Sequence, residues 1–231
     1  MTSETNRAGI QVACLDMAGT TVSDDGLVEL AFDTALTELG VATDDPDRAR
    51  MEAYVRDTMG TSKIDVFRAL FGAEDRAQQA NGAFEDAFGR LIGSGAVRPL
   101  PGAAETINAL RSNGIRVALT TGFSVGTRSL LLDALGWKDL ADLALSPADV
   151  GRGRPYPDMV LGAVMRLGAD SVQAVAVAGD TEADMTTGVR AGASVVAGVL
   201  TGSGDRTRLL SAGATDILES VAELPRLVGI E

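Results

Sequence analysis

Along the chain, short runs of apolar residues alternate with longer stretches in which apolar positions return every three or four residues. The short runs are Ile10–Leu15, Ile115–Thr120, Leu140–Leu145, Val172–Ala178 and Ser194–Leu200. Their length and their content of β-branched residues predict strands. The longer stretches lie near Ala103–Ser112, Val125–Leu135, Asp158–Leu167, Glu182–Ala191 and Arg206–Ala212, and their spacing predicts amphipathic helices. The strand runs are apolar nearly throughout, so both faces of each strand are expected to be covered. That pattern belongs to an α/β fold with a parallel sheet between helical layers. In such sheets the reactive groups gather beyond the carboxyl ends of the strands.

One region breaks the alternation. From about Asp24 to Gly95 only helical periodicity is present, over Leu27–Leu39, Asp47–Thr58, Lys63–Phe71 and Glu74–Leu91. Asp44-Asp45-Pro46 and Met59-Gly60-Thr61-Ser62 read as joints, and Ser62 is placed to cap the helix that follows. The pattern predicts a helical cap over 23–95, inserted into an α/β core made of 1–22 and 96–231, with hinges near Ser23 and Ser94. The acidic pairs Asp24-Asp25 and Asp44-Asp45 are expected to face solvent, and Trp137 is expected to pack a helix end.

Composition narrows the chemistry. The formal charge of −12 disfavours nucleic acid or an anionic membrane as a partner. The single cysteine, Cys14, lies in an apolar run and allows no internal disulfide. No apolar run is long enough to span a bilayer, and the start MTSETNRAG has no signal-peptide core, so a cytoplasmic setting is expected. The chain has no histidine. Acid–base and nucleophilic work therefore falls to carboxylates, lysine, hydroxyls or a hard metal ion.

Four stretches carry such groups at strand ends or just past them. "DMAGTT" places Asp16 at a strand mouth, followed by Gly19, Thr20 and Thr21; "TTG" offers Thr121 and the Gly122 amide; "GRGRPYP" offers Arg154; "GDTEAD" places Asp180 at a strand end and Asp184 one turn into a helix. Taken singly, each has an ordinary reading as a cap, turn or loop. Together they bring three carboxylates, hydroxyls and a guanidinium to one rim. Crowded carboxylates repel, and a divalent hard cation relieves that repulsion.

In this order the four stretches resemble the signature motifs of the haloacid dehalogenase superfamily of hydrolases. The resemblance implies a Rossmann-like parallel-sheet core and, for the helical insert, a C1-type cap. It implies Mg²⁺, held by Asp16, the Ala18 carbonyl, Asp180 and Asp184. It also implies Asp16 as nucleophile, with Thr20, Thr121, Gly122 and Arg154 around the phosphoryl group. "DMAGTTV" is most similar to the phosphonatase family, which has alanine where phosphatases carry an acid/base aspartate. That family's Schiff-base lysine sits in a Met-Gly-x-x-Lys-Ile-Asp motif, matched here by Met59-Gly60-Thr61-Ser62-Lys63-Ile64-Asp65. Lys63 is one of only two lysines in the chain. The family histidine three residues on is replaced by Val66, the tyrosine after Thr-Gly by Phe123 and a cysteine by Gly26. The resemblance implies cleavage of the carbon–phosphorus bond of phosphonoacetaldehyde or a related phosphono-aldehyde, and a possible homodimer through the cap. The short tail after Gly198 resembles phosphatase-type members instead. Hydrolysis of a small phosphate monoester therefore stands as the alternative, with non-catalytic binding of a phosphometabolite behind it.

Overall fold

A computed structural model describes residues 9–230. Residues 1–8, which hold the polar start, lie outside the described residues. Six strands form one parallel sheet: β1 (Val12–Asp16), β2 (Arg116–Thr120), β3 (Leu143–Leu145), β4 (Val175–Gly179), β5 (Val195–Val199) and β6 (Asp216–Leu218), in the order β3-β2-β1-β4-β5-β6. The order reverses at β1, whose neighbours β2 and β4 carry the other motifs. Every residue of β1, β4 and β5 is buried, as expected for strands covered on both faces.

The core helices are α5 (Ala103–Ser112), α6 (Val125–Leu135), α7 (Asp158–Leu167), α8 (Glu182–Ala191), α9 (Arg206–Ser211) and α10 (Leu224–Leu227). Strands β3 and β4 each start three residues later than the apolar pattern predicts. Val172–Ala174 form a 3₁₀ turn, because the Ser171 hydroxyl accepts from Gln173 N and turns the chain before β4. Leu140 stays outside β3, its carbonyl held by the Arg111 guanidinium at 2.9 Å. Strand β6, three residues long, was too short to show in the pattern. Trp137 is buried and closes the end of α6 by donating its N–H to Leu132 O.

Between β1 and α5 lie four helices: α1 (Leu27–Glu38), α2 (Arg48–Asp57), α3 (Lys63–Phe71) and α4 (Glu74–Gly93). Their shared core is aromatic. Phe32 lies 4.9 Å from Phe67 and 4.7 Å from Phe84, centroid to centroid. Phe88 continues the cluster to Phe123, 4.7 Å away in the loop after β2. Full burial of such side chains is worth about 1.5–3 kcal/mol each, so one apolar cluster ties the helical insert to the sheet's carboxyl edge. Arg48 is buried and joins α2 to α1 by donating to Val41 O and Asp33 O. The two crossings between insert and sheet run side by side, with Ser23 N bonded to Arg98 O and Leu100 N to Thr21 O. No helix among the described residues is long and apolar enough to cross a membrane.

Candidate active site

Parallel pairing places Asp16 opposite Thr120 and Leu15 opposite Ala178, so β1, β2 and β4 end together. Asp16 is the last residue of β1, and Asp180 follows β4 directly. Asp184 is set by a capping box at the start of α8. The Thr181 hydroxyl accepts from Asp184 N, and Asp184 Oδ2 accepts from Thr181 N, both at 3.2 Å. All three carboxylates are buried, and one oxygen of each lies within 4.8 Å of the others.

Arg154, itself buried, threads between them. Its Nη2 is 2.6 Å from Asp16 Oδ1 and its Nε 2.9 Å from Asp184 Oδ1. It also donates to Thr120 Oγ1 at 2.9 Å and to Gly60 O at 3.2 Å. Asp180 accepts from Thr20 Oγ1 at 3.2 Å and from Ser203 N at 2.8 Å. Gly19 takes a φ of +91°, and a Cβ there would stand 2.6 Å from Asp180 Oδ2, so only glycine allows this approach.

Burial drives the acids upward. Asp16 is raised well above the usual carboxylate range by desolvation, which Arg154 opposes and Asp184 and Asp180 reinforce. Asp180 is pushed up to about 6 by desolvation and then by Asp184. Three buried carboxylates thus share one guanidinium. An all-oxygen, negatively charged donor set of this kind fits a hard divalent cation such as Mg²⁺.

Lys63 stands at the first position of α3, and its N–H donates to Gly122 O at 3.4 Å. The side chain is only 7% exposed. Its Nζ lies 5.4 Å from the Phe123 ring centroid and 5.8 Å from that of Phe32. Among the described residues it forms no ion pair, whereas Lys138, exposed, pairs with Asp133. Burial pushes the Lys63 amine down to about 8, a fall that Asp24 and then Asp16 partly offset.

A cavity of about 30 Å³ joins the two groups. Asp16, Ala18, Asp180 and Arg154 line it from the sheet, with Thr121 and Gly122 from the loop after β2. Met59, Gly60 and Lys63 line it from the helical insert. Two residues singled out in the sequence are set back from it. Thr20 spends its hydroxyl on Asp180, and Asp184 lies behind Arg154. The seam above the cavity is made of glycines. A Cβ on Gly60 would meet Thr181 Oγ1 at 2.3 Å, and one on Gly122 would meet Thr61 O at 2.4 Å. A space this small holds a water or two.

Three polar lining residues were not singled out in the sequence as site residues: Asp24, Thr181 and Ser203. Ser203 had a readable signal, a hydroxyl between two glycines directly after a strand. Asp24 is a correction. It does not face bulk solvent as expected but lines the cavity; only its neighbour Asp25 turns outward, to Arg98. Within the other pair, Asp44 is exposed, while Asp45 is half-buried and accepts from Asp47 N.

A family model of haloacid dehalogenase-like hydrolases matches residues 10–192, and the chain belongs to that family of enzymes. The chain is 29% identical over 214 residues to the phosphonoacetaldehyde hydrolase of Parabacteroides distasonis, an overlap of 75% of this chain and 80% of that one. The fold is similar to that of a phosphonoacetaldehyde hydrolase like protein from Oleispira antarctica, with a TM-score of 0.81, 23% identity, and coverage of 96% and 92%. It is also similar to a predicted phosphoglycolate phosphatase from Haemophilus somnus, with a TM-score of 0.79, 18% identity, and coverage of 95% and 98%.

Proposed function

We propose that this hydrolase cleaves the carbon–phosphorus bond of phosphonoacetaldehyde or a related phosphono-aldehyde, with Asp16 as nucleophile and Lys63 as the Schiff-base amine. The observation that carries this reading is the shared cavity. A buried lysine, without an ion pair among the described residues, opens onto the same space as Asp16, beside an alanine at position 18. The similarity to phosphonoacetaldehyde hydrolases supports it.

Asp16, Asp180, Asp184 and the Ala18 carbonyl would hold Mg²⁺, which when bound offsets the negative charge that a phosphoryl group brings to these carboxylates. Arg154, the Thr121 hydroxyl and the Gly122 amide would orient the phosphoryl oxygens. Lys63 adds to the aldehyde carbon and water leaves, giving an iminium. Asp16 then attacks phosphorus and the carbon–phosphorus bonding pair moves into the iminium, leaving an enamine still bonded to Lys63. Protonation at carbon and hydrolysis of the resulting iminium by water release the dephosphonylated aldehyde and free the amine. Water hydrolyses the aspartyl phosphate and releases phosphate. No alkoxide leaves in this sequence, so an acid at position 18 has nothing to protonate.

The surroundings of Lys63 suit its role. An exposed lysine is less than a thousandth neutral at pH 7, whereas an amine near 8 is neutral for about a tenth of the time. Phe123 and Phe32 supply that desolvation. Phe123 occupies the position where the phosphonatase family has a hydroxyl.

The test is phosphate release with Mg²⁺, from phosphonoacetaldehyde and from a panel of phosphate monoesters, by wild type and Lys63→Arg. Release from the phosphonate that is lost in the variant is the expected result. Release from esters alone, indifferent to Lys63, would replace this reading with a monoester phosphatase. Phosphate binding without any release would leave a binding protein.

A further inference from the structure

Imine formation needs more than an amine. The carbonyl oxygen must leave as water, and the nitrogen must shed a proton first. The chain has no histidine, and the position that carries one in the phosphonatase family is the buried Val66. Five lining residues of the cavity are titratable: Asp16, Asp180, Arg154, Lys63 and Asp24. Asp16 and Asp180 belong to the carboxylate cluster, and Arg154 stays charged. Asp24 is the remaining acid.

We infer that Asp24 is the catalytic acid–base that moves protons between Lys63 and the aldehyde oxygen. Its local structure is built to hold a carboxylate there. Asp24 Oδ1 accepts from Val28 N at 3.1 Å, which fixes the side chain at the start of α1. Oδ2 makes no hydrogen bond among the described residues, and Asp24 is one of the residues that line the cavity. The backbone then turns sharply through Asp25 and Gly26, both at positive φ (44° and 77°). Among the described residues Asp25 is the one non-glycine at positive φ, a conformation that costs energy. The turn sends the two adjacent carboxylates to opposite sides, Asp25 to Arg98 and Asp24 inward. Asp24 is also the largest charge acting on Lys63, and burial raises its own acid above the usual range.

This inference rests on the Schiff-base reading of Lys63. The protons balance in a closed cycle. Lys63 ammonium passes a proton through one bridging water to the Asp24 carboxylate. The neutral amine adds to the aldehyde carbon while the Asp24 carboxylic acid protonates the carbonyl oxygen. Asp24 next takes a proton from the new C–N nitrogen and returns it to the hydroxyl, which leaves as water. Lys63 ammonium and aldehyde have become iminium and water, and Asp24 is a carboxylate again.

The experiment is timed borohydride trapping of wild type and Asp24→Asn with phosphonoacetaldehyde, with the Lys63 adduct measured by mass. Asparagine is isosteric and its carbonyl still accepts from Val28 N, so α1 keeps its cap. Inorganic phosphate affinity with Mg²⁺ reports separately on the rest of the site. The expected result is trapping about 100-fold slower in the variant, with phosphate affinity unchanged. Trapping within tenfold of wild type overturns the role of Asp24. Loss of phosphate affinity alongside trapping also overturns it, because the site as a whole would then have been damaged. A wild type that forms no adduct removes the Schiff-base reading itself, and a fast adduct in both proteins leaves that reading standing without Asp24.

Discussion

At its sheet side the cavity is held by ion pairs, and at its helical side by packing against aromatic rings. Asp16 and Asp184 are locked to Arg154, and Asp180 is locked to Thr20 and Ser203. Lys63 instead meets two aromatic rings and no carboxylate within ion-pair distance. The same physical fact, burial, has opposite consequences for the two. It pushes acids up and a base down, so both ends lean towards their neutral forms. A bound divalent cation would restore the charged form at the carboxylates. At the lysine the neutral form is the one that the proposed Schiff base needs.

The comparison can be broken from either end, and the largest effect is expected at the sheet. Asp16→Asn keeps the shape of the side chain and removes the proposed nucleophile, so phosphate release should fall by on the order of 10⁴-fold or more, measured in the same phosphate-release assay as wild type. Retained turnover would mean that another group attacks phosphorus. At the seam, Gly122→Ala places a methyl 2.4 Å from the Thr61 carbonyl, a backbone atom with little freedom to yield. The two ends should no longer meet fully, and kcat/KM should drop by about 10²-fold while the melting temperature stays close to that of wild type.

Metal binding sharpens the sheet end. The folded Asp180 acid, at about 6, lies above its ordinary 3.8. Its contribution to stability is therefore present below pH 3.8 and lost as pH rises through 6. Mg²⁺ must bind the ionised form, so it should stabilise more at pH 7.5 than at pH 5. At 100 times its Kd the gain is about 2.7 kcal/mol, or roughly 5–10 °C for a chain of this size, read by thermal denaturation. An equal shift at both pH values would contradict the carboxylate site. The smallest effect probes the lysine end. The trapping rate should climb with pH and level off above about 8. Asp24 helps keep Lys63 charged, so Asp24→Asn should move that inflection to lower pH.

The sheet end was the more legible in sequence. A strand delivers its last residue to a fixed place, so apolar runs ending at Asp16 and Asp180 foretold where those carboxylates would stand. The bounds of α3, α5, α6, α7 and α8 followed from periodicity and caps alone. The helical end was legible only by resemblance, through Met59, Gly60 and Lys63. What α3 faces depends on how Phe32, Phe67, Phe84 and Phe123 pack, and that packing joins segments far apart in the chain. Asp24 failed to show for a related reason. Ser-Asp-Asp-Gly reads as a solvated turn, and only the positive φ of Asp25 decides which aspartate points inward. Ser203 reaches Asp180 from a loop after β5, across 23 residues of sequence.

The proposed Schiff base requires that the buried lysine, and not the exposed one, join covalently to the substrate. Borohydride reduction of the wild-type protein with phosphonoacetaldehyde, followed by peptide mapping, tests it most directly. The account predicts one reduced adduct, on the peptide that contains Lys63, with Lys138 unmodified. No adduct, or an adduct on Lys138, would contradict it.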